Sequence, residues 1–304
     1  MKKNQSNIKT MMNQRSFRLN MLLFQQHAPF HIKVEERFKQ NLGTVPAFIL
    51  ISSDPKYSSP IVYWQPFFNS MSDIELADYL TQYCKNHSEN AEGFISMYQN
   101  KDFILNHVYP RILAKRDAKD LNKNGILFTY PEDMPDFITS YYIDLNNGRM
   151  VVVTNDVLDH IGITIEELHK TAVKNILDAV VFRIMFNVNA VEIVNDPTKE
   201  SHTEVLPFWE ATLPDGIYGA GVLAGSQKMF QLMATRIGSK RFFILASNIH
   251  QVVLVPDNGD TNKTYQIALL MNKKSLYSHL IPRQRLGDKV YHYDSTTGLI
   301  TQYK

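Results

Sequence analysis

Residues 138–154 read ITSYYIDLNNGRMVVVT, and this stretch restricts the fold more tightly than any other in the chain. Two runs rich in β-branched and aromatic residues flank Asn147-Gly148, a dipeptide suited to the positive-φ positions of a type I′ turn. Such a segment pairs with itself as an antiparallel hairpin. The stretch FFILASNIHQVVLVPDNGD at 242–260 carries a related pattern: two apolar runs flank a polar Ser-Asn-Ile-His step, and the second ends in Pro-Asp and a turn.

Helix signals alternate with these strands. In SMSDIELADYLTQYC, Ser72 precedes Glu75 by the capping-box spacing, and Thr164 precedes Glu167 in the same way at the head of TIEELHKTAVKNIL. SFRLNMLLFQQH sets Phe17, Leu19, Leu22, Leu23 and Phe24 at near-helical intervals, closed by Pro29. A further helix is expected from a cap near Ser226 to Gly238, and another in TYQIALLMNKK. FHIKVEERF and AFILIS read as strands about a turn at Asn41 to Gly43, with a helix over 31–42 as the competing reading. Further strands are expected at 60–68, FILNHVYPRIL, 207–213, IYGAGVLA, RFFILA, VVLVP and KVYHY, with AKRDAKDLNKNG as a polar connection.

Hairpin followed by helix thus occurs twice, at 138–178 and 207–238, which would fit an internal duplication. The expected fold is α+β, with hairpin-plus-helix units forming mixed or antiparallel sheets flanked by helices. The polar, proline-containing segment 195–206 reads as a linker. It would divide a lobe at 15–195 from one at 207–304, behind a flexible basic tail at 1–14, unless the lobes form one continuous domain.

Composition excludes several function classes. Lys and Arg number 32 against 30 Asp and Glu, so no field of one sign demands a nucleic acid or an anionic membrane. The single cysteine, Cys84, permits neither an internal disulfide nor a zinc ribbon and reads as a small core residue. No apolar run approaches the ~20 residues that span a bilayer. The basic N-terminus lacks the apolar core and cleavage site of a secretory signal, so the cytoplasm is the expected location.

The motifs that carry chemistry fail on context. GAGVLAG at 219–225 has a Gly-x-Gly-x-x-Ala arrangement ahead of a helix, but no acidic residue follows at the dinucleotide spacing. Of the ten histidines, His107, His160, His169, His202, His250, His279 and His292 have no His-x-x-x-His partner. Neither His202-Thr-Glu204 nor His292-Tyr-Asp294 reaches the three ligands a metal needs. No nucleophile elbow or general acid–base pair stands out, so no catalytic residue, metal or cofactor is assigned.

Two candidate sets remain. Ser247, Asn248, His250 and Asp257 are ligand-binding candidates, because loop residues between strands often carry function. Lys273, Lys274, Arg283, Arg285 and Lys289, interleaved with Tyr277, Tyr291 and Tyr293, could contact phosphates and bases.

ILASNIHQVVLVPD, followed later by GDKVYHYD, resembles an uncharacterised family of Gram-positive bacteria marked by an Ile-Leu-Pro-Ser-Ser-Ile-His step, a Leu-Pro-Asp strand end and a closing Val-Tyr-x-Tyr-Asp. Ile249, His250, Pro256, Asp257, Val290, Tyr291, Tyr293 and Asp294 agree with that pattern, and Ala246 replaces its proline. Gly162, Thr164, Glu166, Glu167 and Leu168 match a second segment of the same family, while His160-Ile161 departs from its usual Met-Trp. The resemblance implies an architecture and no catalytic residues. The expected function is a cytoplasmic, non-enzymatic binding or interaction protein with a protein partner. A small-ligand binder or enzyme using the His250 loop is the alternative, and nucleic-acid contact is third.

Overall fold

In a computed structural model, residues 2–39, 43–54, 57–87, 97, 99–131, 133–145, 150–186, 207–225, 227–257, 259–276 and 284–303 are described. The chain divides into two compact units, residues 1–100 and 101–304. Both are α+β, as expected, and their sheets are antiparallel. No described helix is long and apolar enough to cross a membrane.

The first unit begins with helix α1, Lys2–Gln25, where a basic tail was expected. Met12 is fully buried on the same stripe as Leu19 and Leu23, and Ile8 packs partly against them. That spacing continues the helical face N-terminally, and the local excess of positive charge hid it. Strands β1 (Phe30–Lys39) and β2 (Gly43–Ser52) pair in register from Phe30↔Ser52 to Lys39↔Gly43, so the strand reading of 31–42 wins over the helical one. Residues Asn41 and Leu42 of the expected turn lie outside the described set.

Strand β3 is confined to Ile61–Tyr63 rather than 60–68, because Pro66–Asn69 turns into a 3-10 helix. Helix α2, Asp73–His87, opens on the expected capping box: Ser72 N–H donates to Glu75 Oε2 at 2.7 Å, and Glu75 N–H to Ser72 Oγ at 3.2 Å. Arg15 ties α1 to this turn. Its buried guanidinium donates to Asp73 Oδ1 at 2.8 Å, to the Phe68 carbonyl at 2.7 Å and to the Met71 carbonyl at 2.9 Å. Cys84 is buried beside Leu80 in this core, as read from the sequence.

In the second unit, Lys101–His107 is helix α3 and Val108–Ala114 strand β4, where one extended segment was expected. The polar connection that follows holds helix α4, Ala118–Lys123. Strands β5 (Phe128–Thr129), β6 (Phe137–Asp144) and β7 (Met150–Val152) complete a four-stranded sheet around β6. β6 and β7 are the two arms of the opening hairpin, paired through Ile143↔Val151. Its Asn147-Gly148 turn lies outside the described residues.

Helix α5, Asn155–Ile161, stops at Gly162 in the left-handed region, and α6, Ile165–Ala179, starts on the complete Thr164–Glu167 capping box. Strands β8 (Val181–Phe186), β9 (Pro207–Thr212), β10 (Arg241–Leu245), β11 (Val252–Pro256), β12 (Val290–Asp294) and β13 (Leu299–Tyr303) form one sheet in the order β13-β12-β10-β11-β9-β8. β8 and β9 pair from Val181↔Thr212 to Phe186↔Pro207. The expected linker at 195–206 is therefore bracketed by neighbouring strands of one sheet, and the division falls near residue 100 instead. Segment 195–206 itself lies outside the described residues.

Helix α7, Gln227–Ile237, ends at left-handed Gly238 as predicted, while its expected cap Ser226 is outside the described set. Helix α8, Thr261–Leu276, covers one face of the large sheet, packing Ala268 and Tyr265 against Phe243, Leu245, Val255 and Val290. The opposite face takes Phe230 of α7 against Tyr293, and Phe137 of β6 against Tyr291. Buried on both faces, β10 reads in sequence as a continuous apolar run.

IYGAGVLA does not form the expected strand. Gly219–Ala224 is a 3-10 helix in which every residue is buried. A Cβ on Gly219 would lie 2.6 Å from the His250 carbonyl, and one on Gly221 would overlap the Pro110 carbonyl and sit 2.6 Å from Ile176 Cδ1. The glycines are there to bring backbone against β4, β9 and α6. Without a second hairpin here, the suggested duplication loses one of its two copies.

Candidate functional site

The sequence candidates do not meet in one place. Asn248 is buried, and its Oδ1 accepts from His250 N–H at 2.8 Å and Gln251 N–H at 3.2 Å, turning the chain between β10 and β11. The Ser247 carbonyl accepts from Leu286 N–H at 2.8 Å. The His250 carbonyl accepts from Gly219 N–H at 2.8 Å and Thr212 Oγ1 at 3.0 Å. The step is thus a junction of three segments whose backbone groups are largely occupied.

The His250 ring is half-buried and stacks on Tyr218 at 5.8 Å between centroids. Burial pushes its pKa below the usual histidine value, with Arg111 adding to the effect and Asp215 opposing it. Arg111, buried in β4, lies 4.2 Å from the centroid of the same Tyr218 ring. Tyr218 has a φ of 57°, which costs a non-glycine residue about 1–2 kcal/mol. The Arg111–Tyr218–His250 stack and the Gly219 hydrogen bond hold it there. The Nδ1 of His250 is buried and has no hydrogen-bond partner among the described residues.

Asp257 follows the other end of β11, about 17 Å along the strand from its first residue, Val252, at roughly 3.3 Å per residue. Its buried carboxylate accepts from Thr261 Oγ1 at 3.0 Å and lies 3.0 Å from His292 Nε2. It joins β11, the head of α8 and β12 rather than serving the loop. Lys289 pairs with Asp136 Oδ1 at 2.5 Å, and Arg285 bridges Asn248 through its backbone. Lys273 is exposed, whereas Arg283, Tyr277 and the side chain of Lys274 lie outside the described residues.

A different set of residues surrounds a cavity of about 520 Å³ within the second unit. Its walls come from the end of β5 (Thr129, Tyr130) and the following loop (Asp133, Met134), the first turns of α6 (Ile165, Glu166, His169) and α7 (Gln227, Phe230), and the end of the 3-10 helix (Leu223 to Gly225). Met134, Leu223 and Phe230 are buried and make an apolar floor, while Asp133, Glu166 and Gln227 are exposed. That volume falls in the ordinary range for small-molecule sites, and an apolar lining with few polar groups is their usual composition.

A hydrogen-bonded chain reaches this cavity from the core. The ring of Tyr141 is fully buried, and its hydroxyl lies 2.9 Å from Thr129 Oγ1 and 2.8 Å from His169 Nδ1. The hydroxyl has one proton for two neighbours, so it donates to one and accepts from the other. Burial pushes Tyr141 up to about 12, and the charge of Glu166 adds to this while the Thr129 bond opposes it. Burial also lowers the His169 pKa. Both groups are therefore neutral at pH 7, and the imidazole stands in the cavity wall with Nδ1 fixed by Tyr141. This permits directional hydrogen bonding.

His169 entered the sequence reading only as one of ten scattered histidines. Its partner is 28 residues away on another element, and no linear motif marks the pair. The available signal was Tyr141 at the centre of a strand, since a buried tyrosine hydroxyl needs a partner.

The fold and cavity define an α+β protein with antiparallel sheets and an open, mostly apolar site beside a buried Tyr–His pair. The chain belongs to the family of unknown function DUF5688, whose profile matches residues 9–295. No curated protein and no solved structure matches it.

Proposed function

We propose that the chain is a non-enzymatic binding protein for a small organic molecule, held in the cavity beside His169. The observation that carries this reading is the Thr129–Tyr141–His169 chain ending in the wall of a 520 Å³ cavity. A buried polar pair that served only packing would have no need to end at an opening of ligand size. The neutral imidazole orients a ligand polar group, and Met134, Leu223 and Phe230 receive its apolar part.

The test is a thermal-shift screen of small metabolites on the full chain, repeated on His169→Gln and on Ala224→Leu, which narrows the cavity. A ligand at ~100 times its Kd adds about 2.7 kcal/mol to stability. Hits on the wild type that weaken in both variants support the reading. Hits that persist unchanged in both variants place the ligand elsewhere and reject it.

A protein-interaction reading draws on another observation. Phe17, Met21 and Phe24 on α1 are 72%, 50% and 80% exposed and follow one another at i, i+4 and i+7. This uncharged ridge suits a like ridge on a second copy. Sedimentation of the wild type against Phe17→Ser/Phe24→Ser decides it: an assembly lost in the variant supports self-association, and a wild-type monomer rejects it.

A further inference from the structure

We infer that the cavity ligand is a cationic amine carried on a compact apolar or aromatic body. This rests on the cavity reading above and deepens it by one chemical class. Among the described residues lining the cavity there are two carboxylates, Asp133 and Glu166, and no lysine or arginine. His169 adds no positive charge at neutral pH, because burial holds its pKa down. The negative charge at the rim reaches inward: Glu166 opposes ionisation of Tyr141 from outside the hydrogen-bonded chain.

At the head of α6 the capping box takes up two of the helix's donors, Thr164 N–H to Glu167 Oε2 at 2.9 Å and Glu167 N–H to Thr164 Oγ1 at 3.2 Å, so charge selection rests on the side chains of the lining. Lys115 Nζ sits 5.7 Å from the Tyr130 ring centroid and is not part of the described lining. A carboxylate or phosphate ligand would meet two like charges and no cationic partner. An ammonium group at the rim meets Asp133 and Glu166, while its apolar body covers Met134, Leu223 and Phe230. The exposed Tyr130 and the buried Phe230 add packing contacts to the same ligand.

Because both carboxylates are exposed, their effect is screened by salt. Three probes of one shape and different charge separate the inference from the reading beneath it: phenethylamine, 2-phenylethanol and phenylacetate. Binding is followed in the full chain by NMR titration of the His169 ring signals, assigned by their loss in His169→Gln. At ~20 mM salt and about pH 7.5, phenethylamine is expected to bind roughly fivefold more tightly than the alcohol, and phenylacetate more weakly than either. At ~0.5 M salt the preference should fall below about twofold, and Asp133→Asn/Glu166→Gln should abolish it at low salt. The salt series on the wild type keeps the inference testable if that double variant folds poorly. Alcohol or phenylacetate binding as tightly as the amine would overturn the amine class and leave the cavity reading standing. No movement of the His169 signals with any probe would also overturn the amine class, and the metabolite screen would then decide the cavity reading by itself.

Discussion

Replacing Tyr141 by Phe removes one oxygen from the centre of the second unit and nothing else. The ring is fully buried and stays in place, so no cavity opens, and the change isolates the two hydrogen bonds at 2.9 and 2.8 Å. Each such bond contributes roughly 0.5–1.5 kcal/mol net. Thr129 and His169 are both half-buried and can regain water in part, which places the expected loss at about 1–2 kcal/mol. With a urea m-value of ~2.5 kcal/mol/M for a unit of this size, the unfolding midpoint should fall by about 0.4–0.8 M at unchanged m. The chain has two tryptophans, Trp64 and Trp209, so a Trp64→Phe background leaves Trp209 of β9 as the reporter of the second unit. Thr129→Val should cost about half as much, and combining it with Tyr141→Phe should fall short of the sum, because the two share a bond. A midpoint that stays put or rises would refute the claim that this hydroxyl bridges its two neighbours.

Three further outcomes follow from the same geometry. Arg15→Met should destabilise the first unit by about 2–3 kcal/mol, since it leaves the Phe68 and Met71 carbonyls without their donor while Asp73 keeps Arg18 at 2.6 Å; Trp64 fluorescence during urea unfolding reads it, and a loss under ~1 kcal/mol would contradict the anchor. Gly221→Ala should cost the second unit about 3 kcal/mol, and Ile176→Val should not rescue it, because the obstacle includes the Pro110 backbone as well as the Ile176 side chain. His169 and His250 both have folded-state pKa values below the unfolded value of about 6.5, so the unfolded chain binds more protons below neutrality. Stability should therefore fall as pH drops through ~6.5 towards the folded values and level off beneath them. Urea midpoints from about pH 8 to 5 should show less of this fall in His169→Gln/His250→Gln, and an unchanged slope would reject burial as the cause.

Features governed by neighbouring residues were legible in the sequence. Both capping boxes, at Ser72–Glu75 and Thr164–Glu167, formed as read, because their hydrogen bonds close within one helical turn. The β10–β11 pair was legible for the same reason, its turn being supplied by Asn248 two and three residues ahead of its partners. Features set by distant contacts were misread. The run Gly219–Ala224 is apolar enough to pass for a strand, and only Pro110, Thr212 and Ile176 dictate that it coil tightly against them. A polar segment with a proline looked like a boundary, yet Phe186 and Pro207 on either side of it are neighbours in one sheet. The candidate site followed the same rule. Linear spacing drew attention to His250 and Asp257, which sit at opposite ends of a strand, while His169 found its partner across 28 residues.

The central claim is that the cavity beside His169 holds a small molecule. Native mass spectrometry of the chain purified from its own host, set beside Ala224→Leu prepared identically, tests it most directly. A small mass retained by the wild type and lost from the variant is the predicted result, provided the variant's own unfolding midpoint shows it folded. A wild-type chain that carries no small molecule, or a mass that both proteins retain equally, would contradict it.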